Sequence, residues 1–89
     1  MTGWIPNPNW QTLDDPEEGD IVQLKHEDGF GHLIKLKTLS VSGNIVSGFV
    51  EAVFDWDTKG QILSGDMKNL EGKQMDFDKQ YMQNVIKKP

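Results

Sequence analysis

Neither cysteine nor arginine occurs anywhere in the chain. Without thiols there is no disulfide framework and no thiolate zinc site, so any metal has to be held by histidine and carboxylates. Without guanidinium groups the chain lacks the planar fork that reads guanine or clamps phosphate in two places, which counts against sequence-specific DNA binding. No stretch approaches the roughly 18 apolar residues of a membrane-spanning helix, and MTGWIPNPNW has neither the positive nor the apolar region of a secretory leader. No membrane association and a cytoplasmic location are the expectation.

Basic residues are also missing from the first twenty positions. Asp14, Asp15, Glu17, Glu18 and Asp20 account there for the whole net charge of −5, because the other nine acids are matched by nine lysines. The chain is acidic in one place only. Eighty-nine residues make one small domain, burying roughly two-thirds of the unfolded surface, which suffices without covalent staples.

What is abundant is period-2 alternation. Residues 31–56, GHLIKLKTLSVSGNIVSGFVEAVFDW, read as two long strands around a Ser42-Gly43-Asn44 turn, with Val46, Gly48, Val50, Ala52, Phe54 and Trp56 on one face. Ahead of them, residues 20–26 alternate as a first strand, with Val22 and Leu24 inward and Gln23 and Lys25 outward. In the second strand Ile34 and Leu36 keep one parity while Leu39 and Val41 take the other. A β-bulge or sharp bend near Thr38 reconciles them. Residues 73–77 alternate again, 78–81 suit one 3-10 turn, and 84–87 make a short closing strand.

This order of elements, from Gly19-Asp20-Ile21-Val22 through two long strands to the closure between Phe77 and Ile86, resembles the small SH3-like barrels. The resemblance implies an all-β fold, a five-stranded, partly open antiparallel barrel over residues 19–89, and transfers no functional residue. Val22, Leu24, Ile34, Leu36, Val46, Val50, Phe54, Phe77 and Val85 are its expected core. Residues 1–18 form an extended arm and acidic linker, since Pro6, Pro8 and Pro16 oppose helix.

Four groups of residues are candidates for function. Trp4 and Trp10 carry too much apolar surface to be left in water, so they fold back on the barrel as a lid or anchor a partner. Beside them Asp14, Asp15, Glu17 and Glu18 supply attraction to a basic protein surface. Residues 55–66, DWDTKGQILSGD, resemble an EF-hand loop, with Asp55, Asp57 and Asp66 at ligand positions one, three and twelve and Gly60 at the sharp turn. Lys59 stands where the loop needs an oxygen, and Gly48 and the β-branched residues before it favour strand over an entering helix. His26 and His32 flank a five-residue loop and, if their strands pair, face each other near Glu27 or Asp28 as metal-ligand candidates.

Lys25, Lys35, Lys37 and Phe30 form the fourth group, a lysine-and-aromatic face for a single-stranded nucleic acid. Nucleic acid is the less favoured partner, given the missing arginine and the acidic linker. Together these features point to a non-enzymatic protein-binding module, an inhibitor or adaptor for a basic partner surface, requiring no cofactor. A single-stranded nucleic-acid-binding barrel and a weak calcium-binding domain are the alternatives.

Overall fold

Alternation from Ile21 to His26 and from His32 to Ser42 builds the first two strands, β1 (Ile21–His26) and β2 (His32–Ser42). The computed structural model of the chain describes residues 3–26 and 31–89. Gly43 turns the chain with a φ of 59° into β3 (Ile45–Asp55), and β4 (Gln74–Asp78) and β5 (Met82–Ile86) follow. All pairs are antiparallel, and the five-stranded open sheet runs β4-β3-β2-β1-β5. Among the described residues the other regular structure is three single 3-10 turns, at Trp10–Thr12, Met67–Leu70 and Lys79–Tyr81, where one had been expected.

Two bulges decide which side chains of β2 and β3 face inward. Thr38 pairs with Gly48 but Ser40 with Ser47, so Leu39 is an extra residue on β2, at the place where its parity changes. The second extra residue is Glu51 on β3, because Lys35 pairs with Ala52 while Leu36 pairs with Val50. Each bulge moves the following side chains to the other face. Val46, Gly48 and Val50 therefore face inward before the slip and Val53 after it.

This corrects the expected core at Phe54, which is half-buried on the outer face opposite Leu33. The buried cluster is Val22, Leu24, Ile34, Leu36, Val46, Val50, Val53, Phe77 and Met82. Val85 is only half-buried against it. Met82 enters because β5 starts two residues earlier than expected and bulges between its pairings with Gln23 and Leu24. Gly48 is required by closeness rather than by φ: a Cβ there would lie 3.1 Å from Leu36 Cβ and 3.3 Å from the Lys37 carbonyl oxygen.

Beyond the span paired with β4, β3 finds its partners in the loop that follows it. The Val50 amide donates to the Lys73 carbonyl (2.9 Å), Ile62 donates to the Val53 carbonyl (3.0 Å), and the Val53 amide donates to Glu71 Oε1 (3.2 Å). Loop 57–73 thus closes an edge that would otherwise expose unpaired backbone.

Candidate functional site

The N-terminal arm lies along the end of β1. Trp4 bridges to His26, and the Ile5 amide donates to the Lys25 carbonyl (3.0 Å), continuing the edge of β1 past the point where β5 leaves it. Asn7 ties the arm to the far end of the chain, its amide donating to the Gln80 carbonyl (2.7 Å) and its Nδ2 to the Met82 carbonyl (2.9 Å). Gln83 Nε2 donates back to the Ile5 carbonyl (2.7 Å). Trp4 meets the His26 ring edge-on, with centroids 4.9 Å apart, and packs against the core. Trp10, in the first 3-10 turn, is half-buried.

Next in the chain comes the acidic segment, fastened through its backbone. Asp20 is buried; its Oδ2 accepts from Lys87 Nζ (2.6 Å) and the Glu17 amide (2.8 Å), and its Oδ1 from the Lys88 amide (2.9 Å). Lys87, with help from the two amides, holds the Asp20 carboxyl down at about 2 against the opposing effect of burial. Gly19, at a φ of 94°, donates to the Thr38 carbonyl (2.9 Å), and Pro16 is buried. Lys87 Nζ also donates to the Asp15 carbonyl (2.9 Å) and Lys88 Nζ to the Glu18 carbonyl (2.8 Å). Asp14, Asp15, Glu17 and Glu18 remain exposed.

The lysines come from the other end of the chain, so sequence proximity overstated the isolation of this charge. With Lys79 3.3 Å from Asp15, three lysines stand among the five acids and cut the local excess from five negative charges to two.

His26 and His32 are brought directly opposite each other, and Asp55 stands across from His32, so the three form a row over β1, β2 and β3 on the inward parity. Among the described residues Nδ1 of both histidines is buried without a hydrogen-bond partner. Glu27 and Asp28, the carboxylates considered beside them, lie outside the described residues, as does Phe30. Among the described residues no three His, Asp or Glu side chains gather into a group able to hold a metal ion.

The segment that resembles an EF-hand loop has a different frame. Its entry is strand β3 and its exit the four-residue turn Met67–Leu70, so the flanking helices of that motif are absent. Asp55 Oδ1 accepts from the Asp57 amide (2.9 Å) and the Thr58 amide (3.0 Å), which lowers the Asp55 pKa, the Thr58 amide contributing most. Lys59, at a φ of 62°, closes the turn by donating its amide to the Asp55 carbonyl (2.9 Å) and its ammonium group to the Trp56 carbonyl. Asp55, Asp57 and Lys59 build a turn, and Asp66 belongs to the next one, ahead of Met67–Leu70.

The lysine face expected from the sequence lies on the outer face of β1, β2 and β3, with Lys37 exposed beside Ile21 and with aromatic partners that the sequence did not assign to it. Register places Gln23 beside Lys35, and Lys25, Leu33 and Phe54 in one row. Lys25 and Lys59 carry their ammonium groups 4.6 and 4.2 Å from the centroid of the Trp56 ring, and Lys35 lies 4.9 Å from that of Phe54. Leu33 faces outward yet is only 5% exposed, since Phe54, Trp56 and the lysine stems share the groove above it. The Glu51 bulge, which turns Phe54 outward, is what sequence alternation missed; the Lys25 and Lys35 parity was the readable half of the signal.

No protein-family model, curated protein or solved structure matches the chain.

Proposed function

We propose that the chain is a non-enzymatic binding module on an SH3-like barrel, which docks a basic protein surface through Trp10 and the carboxylates of Asp14, Glu17 and Glu18. One observation carries this reading: Lys87 and Lys88 donate to backbone carbonyls of the acidic segment, and Asp20 fastens the Glu17 amide, while those three carboxylates stay exposed. A segment ordered before binding loses less conformational freedom when a partner arrives. The two uncompensated negative charges supply a modest, salt-sensitive attraction. Trp10 is the aromatic anchor beside them. Trp4 takes no part in the docking surface, its indole committed to His26 and the core. The strand order and the 3-10 closure at Lys79–Tyr81 support the barrel type.

The test is capture from a native lysate with wild type, with Trp10→Ala, and with Asp14→Asn/Glu17→Gln/Glu18→Gln. A specific protein retained by wild type, eluted by salt and lost by both variants is the expected result. Recovery of the same protein by both variants refutes the site.

A further inference from the structure

We infer that the outer face of β1, β2 and β3, where Lys25, Lys35 and Lys59 surround Phe54 and Trp56, binds single-stranded nucleic acid without sequence preference, as a second function separate from the acidic segment.

Charge is the first observation. Among the described residues the ion pairs use Lys68, Lys79 and Lys87, whereas Lys25, Lys35 and Lys59 stand within ion-pair distance of no described carboxylate and rest on rings, Lys59 donating to the Trp56 carbonyl as well. Three ammonium groups on one face of a chain with net charge −5 are a local cationic surface. The acidic segment does not cancel it. Asp20 precedes the first residue of β1 and Lys25 is its fifth, which puts roughly 16 Å of strand between the two, about twice the Debye length at physiological salt. Of the nearer carboxylates Asp55 lies on the inward parity with Oδ1 accepting from two amides, which leaves Asp57 against three ammonium groups, so among the described residues the face is cationic.

The second observation is the pair of rings. Phe54 near the end of β3 and Trp56 at the start of the turn that follows it are both half-buried and line, with Gln23, Leu33, Lys35 and Lys59, one groove of about 280 Å³. Bases stack on such rings whatever their identity, and lysines beside them meet the phosphates. An acidic peptide would engage the lysines and leave the rings without a role, so nucleic acid is the partner this surface fits. The missing arginine is consistent with it, since lysine serves phosphates as a point charge while base readout calls for the fork.

The experiment is an anisotropy titration of labelled oligothymidylate, about twelve nucleotides long, with the full chain at about 50 mM salt. Binding is expected, with log K falling against log salt at a slope of about −2 for three neutralised phosphates. Lys35→Gln/Lys59→Gln should flatten that slope to about −0.7. Trp56→Ala should weaken binding roughly fivefold to a hundredfold. Because Trp56 also covers Leu33, Phe54→Leu is a second test of stacking, and thermal melting confirms that each variant is folded. Asp14→Asn/Glu17→Gln/Glu18→Gln should leave oligonucleotide binding in place, which separates this site from the protein-docking one. No binding at that salt, equal competition by polyglutamate, or aromatic variants of unchanged affinity would each overturn the inference.

Discussion

Thr38 is 1% exposed and its hydroxyl has no hydrogen-bond partner among the described residues, although both its backbone groups are engaged, the amide with the Asp20 carbonyl (2.8 Å) and the carbonyl with the Gly19 amide (2.9 Å). Replacing Thr38 by Val removes the hydroxyl and keeps the shape, the β-branching and both backbone bonds. Burying an unpaired hydroxyl costs about 1–3 kcal/mol in proteins, so Thr38→Val should stabilise the fold by about 1 kcal/mol or more. For a domain of this size each kcal/mol is worth roughly 4–8 °C in Tm. Urea unfolding followed by tryptophan fluorescence should show a higher midpoint with an unchanged m value. Thr38→Ser, which keeps the hydroxyl and deletes a methyl group, should lose about 1 kcal/mol. If Thr38→Val is neutral or destabilising at constant m, the hydroxyl has a partner and the reasoning fails.

The Glu51 bulge predicts opposite sensitivities for neighbours: Val53→Ala should cost about 2 kcal/mol while Phe54→Tyr changes stability by less than about 0.5 kcal/mol, and urea melts showing the reverse order would place Phe54 inside. Gly48→Ala should cost about 1–3 kcal/mol by the same assay, because the added methyl meets Leu36 and the Lys37 carbonyl. The Asp20 pKa of about 2 lies below its unfolded value of about 3.9, so its stabilising contribution is complete above the unfolded value and is lost as pH falls through about 2. Wild-type Tm should drop across that window, and Asp20→Asn, less stable at neutral pH, should show a smaller drop; parallel curves would mean that Asp20 is not the group titrating.

Strand number, order of elements and most of the core were legible because alternation reports which side of a pleat is buried. The bulge at Leu39 was legible too, since Ile34 and Leu36 disagree in parity with Leu39 and Val41. The bulge at Glu51 was not: Val50, Ala52 and Phe54 continue an apolar alternation, and only pairing with Lys35 and Leu36 shows that it breaks. The same slip hid the Phe54 and Trp56 surface. The lysines that fasten the acidic segment were invisible for another reason, being separated from it by most of the chain; contacts such as Lys88 to Glu18 arise from strand order, which local pattern does not encode. The His26 and His32 pairing followed directly from the loop between them.

The knot of hydrogen bonds linking Ile5 and Asn7 to Gln80, Met82 and Gln83 also sets a schedule. The Gln83 to Ile5 contact spans 78 positions, and at about 5–20 residues per second translation takes roughly 4–16 s to cover that distance. For that interval the arm has only its contacts with Lys25 and His26 to hold it, and Trp10 travels with its apolar surface open. The arm is thus fastened only once residues 80–83 have been made, leaving a window in which a chaperone can meet Trp10 before the fold covers it.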